Sequence, residues 1–399
     1  MWFFYSPNII YGEDSLNFLE NISGNRCFVV TDKGIEDTGL LRILTEKLDK
    51  YQRSYTIFNE IVPDPHEEDV MKGKEECIKY APDLIIAIGG GSVIDTAKAI
   101  WCLYEFPKYT IDNIQVNSIE LFEMGKKAKL IAITTNSGTG AETTNVAVIS
   151  RYETNVWRKI FCMNKGLVPT YAIVDPIFTK NLPPKLTSSS AFDALAHSVE
   201  CLVSLWGNEF SNAMALKAIE LIFKYLPIVY KDGTNKEARD MMHQAASIAG
   251  LAFGNAQIML AHTLGHTFGS LFHVPHGEAC GISLPYAVQY ILNDPSGTSE
   301  AVKIYGKLAK QLGWAKWDED DKKAAYKVVD KIKELQKEIN FPSSLKETGV
   351  SQKDFEDNFN TLIMLCFQEA TSVLVPRIPN KAEFEKLFTY TYEGKDVDF

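Results

Sequence analysis

The sequence predicts two successive architectures: an α/β domain whose parallel sheet is wrapped by helices, followed by an all-helical domain. Three observations carry this expectation. The first half alternates short apolar runs with amphipathic stretches, and the strand signal ends after Asp175-Pro176. The chain of 399 residues also exceeds the roughly 250–300 at which a single core stops growing.

The apolar runs occupy residues 27–31, 54–58, 84–88 and 130–133, with a shorter one at 172–174. Helical patterns at 40–48 and 68–80 lie between them, the alternation expected of βαβ units. Further along, apolar spacing predicts helices over 191–203, 212–226, 236–253, 301–312, 321–339 and 352–365. Leu182-Pro183-Pro184-Lys185 interrupts both patterns. The boundary is placed there, with a nucleotide-binding domain at 1–182 and a helical metal-binding and catalytic domain at 183–399. Residues 1–11 are aromatic-rich and read as an edge strand that another surface covers, the expected contact of a homodimer.

Hydrophobic residues at 46% and charged residues at 23% suit a soluble globular chain able to bury two cores. A net charge of −10 argues against the clustered basic surface that nucleic acid or an anionic membrane requires, so a small-molecule partner is expected. The seven cysteines are dispersed, odd in number and free of Cys-x-x-Cys, which reads as reduced thiols of a cytoplasmic protein. No basic leader precedes an apolar segment, and no apolar run reaches about 18 residues, so neither export nor membrane insertion is expected.

Two strand ends carry phosphate-binding signals. The run at 84–88 enters Gly89-Gly90-Gly91-Ser92 and then a helical pattern containing Asp95. Glycines let the backbone approach a pyrophosphate, and a helix N-terminus offers free N–H groups. The run at 130–133 enters a second polar cluster, Thr134-Thr135-Asn136-Ser137-Gly138-Thr139-Gly140. Loops at the carboxyl ends of parallel strands share one crevice, so together they suggest a nucleotide site; taken singly, a tight strand-to-helix turn and an ordinary surface loop are the alternatives. Asp32, after the first strand, suits an adenosine ribose and disfavours a 2′-phosphate, so NAD is expected over NADP; an Asp followed by Lys33-Gly34 is equally a helix N-cap.

The remaining signal is a set of His and Asp residues. Asp193-x3-His197 and His262-x3-His266, with His276 beyond, place pairs of ligand-type side chains on single helix faces. Three imidazoles and a carboxylate suit a first-row divalent ion such as Fe²⁺ or Zn²⁺. Five such residues are hard to explain by packing alone, because the chain has only seven histidines.

In order and spacing, Gly89-Gly-Gly-Ser-Val-Ile-Asp-Thr-Ala-Lys98, Gly138-Thr-Gly-Ala-Glu142, Asp193-Ala-Leu-Ala-His197 and His262-Thr-Leu-Gly-His266 before Pro275-His276-Gly277 resemble the iron-containing (group III) alcohol dehydrogenase family. The resemblance spans nearly the whole chain. It implies a dehydroquinate synthase-like architecture, a Rossmann-like domain followed by a helical one, with metal and nicotinamide in the cleft between. It further implies Asp193, His197, His262 and His276 as metal ligands and His266 as an active-site histidine off the metal. Gly90, Gly91, Ser92 and Asp95 match the family's pyrophosphate loop and Thr135 and Thr139 its hydroxyl residues around the cofactor, and Phe253 lies where it has a substrate-pocket aromatic; Gly89 and Asn136, in the same two loops, are added as cofactor residues from the reading of the loops themselves. Departures occur at Thr134-Thr135-Asn136, at Ser190-Ala191-Phe192 and at Val375-Pro376-Arg377, where the family has Pro-Thr-Thr, Thr-Gly-Met and Asn-Pro-Arg.

The expected reaction is hydride transfer between a small primary alcohol or diol and NAD, with NADP as the other cofactor to test. A divalent ion, Fe²⁺ or else Zn²⁺ or another, acts as Lewis acid on the hydroxyl, and His266 relays the proton. The other readings are a relative acting on a polyol or maleylacetate-like substrate, and a metal-dependent hydrolase.

Overall fold

The structure, a computed structural model, describes residues 3–115, 123–153, 156–295 and 300–399. It divides into two compact units, one of Met1–Leu182 with Arg239–Gly254 and one of Pro183–Ala238 with Asn255–Phe399.

The first unit is built on a six-stranded parallel sheet. Its strands are β1 (Asn8–Tyr11), β2 (Arg26–Val30), β3 (Ser54–Phe58), β4 (Leu84–Gly89), β5 (Lys129–Thr134) and β8 (Tyr171–Val174), in the order β1-β8-β5-β4-β2-β3. The central strand β4 is buried along its whole length, as a strand covered on both faces must be. Alternate side chains feed two cores. Phe28, Val30, Ile85, Ala87 and Leu130 pack with α3 (Glu67–Tyr80) and α4 (Gly91–Glu105), while Val29, Ile86, Ile88 and Ile131 pack with Leu41, Leu44 and Leu48 of α2 (Leu40–Lys50). Each of these side chains except Ala87 contributes about 1.5–3 kcal/mol by leaving water. A short helix α1 (Lys33–Asp37) follows β2. An antiparallel hairpin, β6 (Val146–Glu153) with β7 (Val156–Met163), was not expected from the sequence. The edge strand read in residues 1–11 is β1, on the outer side of the sheet; Met1 and Trp2 lie outside the described residues.

The second unit is helical. Its elements are α5 (Pro184–Cys201), α6 (Glu209–Lys231), the first turn of α7 (Lys236–Gly254), α8 (Leu260–Phe272), α9 (His276–Leu292), α10 (Glu300–Gln311), α11 (Asp321–Glu338), α12 (Gln352–Cys366) and α13 (Lys381–Glu393).

One division differs from the contiguous one expected. Residues 239–254, assigned by sequence to the helical half, pack with the α/β unit. The reason is a backbone approach that only glycine permits. A Cβ on Gly140 would stand 2.6 Å from Gly250 Cα, and one on Gly250 would stand 2.5 Å from Gly140 O. Thr143 Oγ1 donates to Ser247 O at 3.0 Å and Ser247 Oγ to buried Glu142 at 2.5 Å, which fastens the helix to the loop after β5.

Candidate metal and nucleotide sites

In the α/β unit, β2, β4 and β5 are parallel neighbours, so Asp32, the Gly89–Ser92 turn and the Thr134–Gly140 loop emerge at one end of the sheet. The strand order reverses there, since β2 continues outward to β3 while β4 leads to β5 and β8. This is the switch point at which open α/β sheets bind ligands. The two loops are joined by Thr135 N donating to Gly89 O at 3.1 Å. A Cβ on Gly90 would stand 3.1 Å from Asn136 Nδ2, so the pair forms one cradle over the N-terminus of α4. Asn136 Oδ1 is buried there without a hydrogen-bond partner, an acceptor suited to a bound ligand's hydroxyl or amide. The residues present fit a dinucleotide.

Three expected cofactor residues have structural duties. Asp32 caps α1, its Oδ1 accepting from Ile35 N at 2.9 Å. Asp95 Oδ2 accepts from Val148 N at 2.9 Å, which ties α4 to β6. Thr139 Oγ1 accepts from Ala141 N at 3.3 Å within its own loop. Below the cradle, buried Lys98 donates to Thr144 O, Thr144 Oγ1 and Val146 O at 2.9, 2.9 and 2.7 Å. Burial pushes its ammonium down to about 8.

In the helical unit, α5, α8 and α9 converge. Asp193 and His197 lie one turn apart on α5, His262 and His266 one turn apart on α8, and His276 opens α9. A Cβ on Gly277 would stand 2.2 Å from Ser189 O, so the start of α9 lies directly on α5. Asp193 Oδ1 is the centre of the cluster. His276 Nε2 stands 3.2 Å from it, His262 Nε2 3.6 Å and His197 Nε2 3.8 Å. Among the described residues, the donor atoms of Asp193, His262, His276 and Cys280 all lie within 4.8 Å of one another. His197, expected as a ligand, stands beside this set, its ring stacked on His262 with centroids 4.6 Å apart.

Burial would raise the Asp193 carboxyl, but His197 and His276 hold it well below the usual carboxylate range. Burial, helped by the neighbouring His262, His276 and His266, drives His197 down to about 3 against the pull of Asp193. Asp193 Oδ1 and His262 Nε2 are buried and lack hydrogen-bond partners. A carboxylate and an imidazole nitrogen left so, facing each other, fit a divalent cation. His276 is the accessible member, its side chain 44% exposed.

Two acidic residues missed in the sequence orient the histidines. Glu200 Oε2 lies 2.6 Å from His262 Nδ1, and the same carboxylate accepts from Met259 N and Ala261 N at 3.0 and 2.5 Å. It caps α8 while directing His262 Nε2 toward Asp193. Glu200 lies seven residues after Asp193, two turns along the same face, and that spacing was a usable signal. Glu369 Oε2 lies 3.0 Å from His266 Nδ1. Burial lowers His266 below its ordinary value against the pull of Glu369. No local pattern announces a partner 103 residues away.

Phe253 is buried on α7, within the residues that pack with the α/β unit. His273 ends α8 at φ 55° and lines a cavity of about 390 Å³ with Lys185, Glu278 and Asp354.

The profile of the Fe-containing alcohol dehydrogenase family, C-terminal, matches residues 187–392, and that of iron-containing alcohol dehydrogenase matches residues 6–176. The chain belongs to the iron-containing alcohol dehydrogenase family. It is 34% identical over 400 residues to the NADPH-dependent butanol dehydrogenase of Clostridium saccharobutylicum, with 100% of both chains covered. Alcohol dehydrogenase 4 of Saccharomyces cerevisiae is 32% identical over 360 residues, 88% of this chain and 90% of that one. The crystal structure of a 1,3-propanediol oxidoreductase superposes with a TM-score of 0.88 at 26% identity, covering 98% of this chain and 100% of that chain. Membership makes this iron-containing alcohol dehydrogenase family protein an oxidoreductase of alcohols and aldehydes whose cofactors are Fe²⁺ and NAD(P). No helix among the described residues is long and apolar enough to cross a membrane.

Proposed function

We propose that the protein interconverts a small primary alcohol or diol and its aldehyde, with Asp193, His197, His262 and His276 as metal ligands and His266 as the proton relay. The observation that carries this reading is the convergence of His262 Nε2 and His276 Nε2 on a buried Asp193 Oδ1 that accepts no hydrogen bond. A divalent ion held by these groups would supply Lewis acidity to an alcohol hydroxyl, and a nicotinamide bound at the glycine loops would supply the hydride acceptor. Glu200 keeps His262 in the tautomer whose Nε2 is a lone-pair donor. Glu369 accepts a hydrogen bond from Nδ1–H of His266, so the Nε2 lone pair of that ring takes a proton and passes it toward solvent.

The cofactor is proposed to bind along Gly89, Gly90, Gly91, Ser92, Thr135, Asn136 and Thr139, with Phe253 as an apolar wall for the substrate. NAD is the proposed cofactor, on the support of Asp32 at the end of β2. Because the Clostridium relative is named for NADPH, the test compares both. We further propose a cytoplasmic homodimer that uses the outer edge of β1, where Tyr11 is exposed; a monomeric mass by light scattering counts against it.

The experiment is purification without oxygen, elemental analysis, and a panel of NAD and NADP against alcohols and diols. One bound divalent ion and nicotinamide-linked alcohol oxidation are expected, and His262→Ala is expected to abolish metal retention. Unchanged metal content in His262→Ala removes the ligand assignment.

A further inference from the structure

We propose that Cys280 is a metal ligand of this chain, its thiolate joining Asp193, His197, His262 and His276 around one divalent ion. The inference rests on the metal-site reading above and specifies the donor set. Cys280 lies one turn after His276 on α9, so both project from one face, the same i,i+4 relation that pairs Asp193 with His197 on α5. Its Sγ stands 3.8 and 3.9 Å from the two ring nitrogens of His276, and it belongs to the group whose donor atoms all lie within 4.8 Å of one another.

The facing helix makes room for this sulfur. A Cβ on Gly265 of α8 would stand 2.6 Å from Sγ and 3.0 Å from Cys280 N, so any larger residue there would displace the thiol from the cluster. In addition, Asp193 Oδ1 and His262 Nε2, 2% and 0% exposed as residues, are the orphaned polar atoms of the same group. Packing thiols elsewhere behave differently: Cys201 donates to Ser198 O at 3.4 Å and Cys366 to Ile363 O at 3.2 Å within their own helices.

Ligation breaks the S–H bond, forms a metal–sulfur bond and releases the proton to solvent. A soft thiolate beside three imidazoles and a carboxylate shifts preference away from Mn²⁺ and Mg²⁺ and toward Zn²⁺ or Co²⁺.

The test uses the full-length protein, stripped by chelator and titrated with Co²⁺ without oxygen. One equivalent of Co²⁺ is expected to produce the weak visible bands of the ion together with an intense near-ultraviolet thiolate-to-cobalt transition. That transition is expected to vanish in Cys280→Ser and Cys280→Ala, checked for folding by circular dichroism, and to persist in Cys201→Ser. Co²⁺ affinity is expected to fall in both Cys280 variants by more than the roughly 10–100-fold that losing an outer-shell hydrogen bond costs. Visible bands without the ultraviolet transition in the wild type, or a transition unchanged in Cys280→Ser, overturn thiolate ligation and leave the metal site standing. No Co²⁺ uptake by the wild type overturns both.

Discussion

The carboxylate of Glu200 does two jobs at once: it holds Nδ1 of His262 at 2.6 Å and closes the N-terminus of α8 through the amides of Met259 and Ala261. The orientation of His262 and the local folding of α8 are therefore coupled through one side chain. Glu200→Gln is expected to lower metal affinity about 10–100-fold. Metal content after dialysis against a weak chelator checks this, and wild-type retention would show that His262 needs no such anchor.

His266 is oriented by Glu369 at 3.0 Å and lies on the face of α8 that bears His262. His266→Asn is expected to keep its metal while kcat falls about 10²–10⁴-fold, the usual worth of a positioned acid or base. Glu369→Gln is expected to lower kcat by less and to shift its pH profile. Steady-state rates across pH with metal analysis decide; full activity in His266→Asn would remove the relay.

Lys98 supplies the donor for three oxygens in the interior of the α/β unit. Lys98→Met leaves the carbonyls of Thr144 and Val146 buried without it, at a cost on the order of 3 kcal/mol. A urea unfolding midpoint measured beside wild type reads the difference. A change under about 0.5 kcal/mol would mean that those carbonyls find water.

Buried thiols predict alkaline lability. Burial pushes Cys27 up to about 11 and Cys102 and Cys366 to about 12, and raises Cys77, Cys162 and Cys201 as well. Unfolded thiols ionise near 9.0, so from about pH 9 to 12 the folded chain binds more protons than the unfolded one. Stability then falls as pH rises, by up to about 1.4 kcal/mol per thiol per pH unit. Lys98, lowered to about 8 from 10.5, acts in the opposite direction, but only up to about pH 10.5. Unfolding midpoints in reductant are expected to drop steeply above about pH 9, and Cys102→Ala to flatten the slope; a constant midpoint to pH 11 would contradict the assignment.

Much of the sheet was legible because β4 and β5 are apolar on both faces, as strands sandwiched between helix layers are and solvent-facing strands are not. The hairpin β6–β7 was not, since Ser150, Arg151 and Glu153 break its apolar pattern and its pairing is decided across the turn. Helix α6 was expected to stop before Pro227 but runs to Lys231, because Leu226 and Val229 are buried on either side and hold the interrupted turn. In the site, Asp193 and the histidines announced themselves by residue type and spacing. Cys280 and Glu200 sat at equally good spacings, yet a cysteine without a partner motif and a glutamate on a helix carry little signal alone. Glu369 is brought to His266 by tertiary packing, which no periodicity encodes.

The approach of Gly250 to Gly140 has a genetic corollary. Because residues 239–254 belong to the α/β unit, the polypeptide passes from one unit to the other at 182/183, 238/239 and 254/255. Neither unit is a cassette that a single cut could excise or a recombination event exchange. A gene fragment ending at residue 182 would encode a sheet lacking the helix that packs on the loop after β5, so moving the α/β unit intact takes more than one cut.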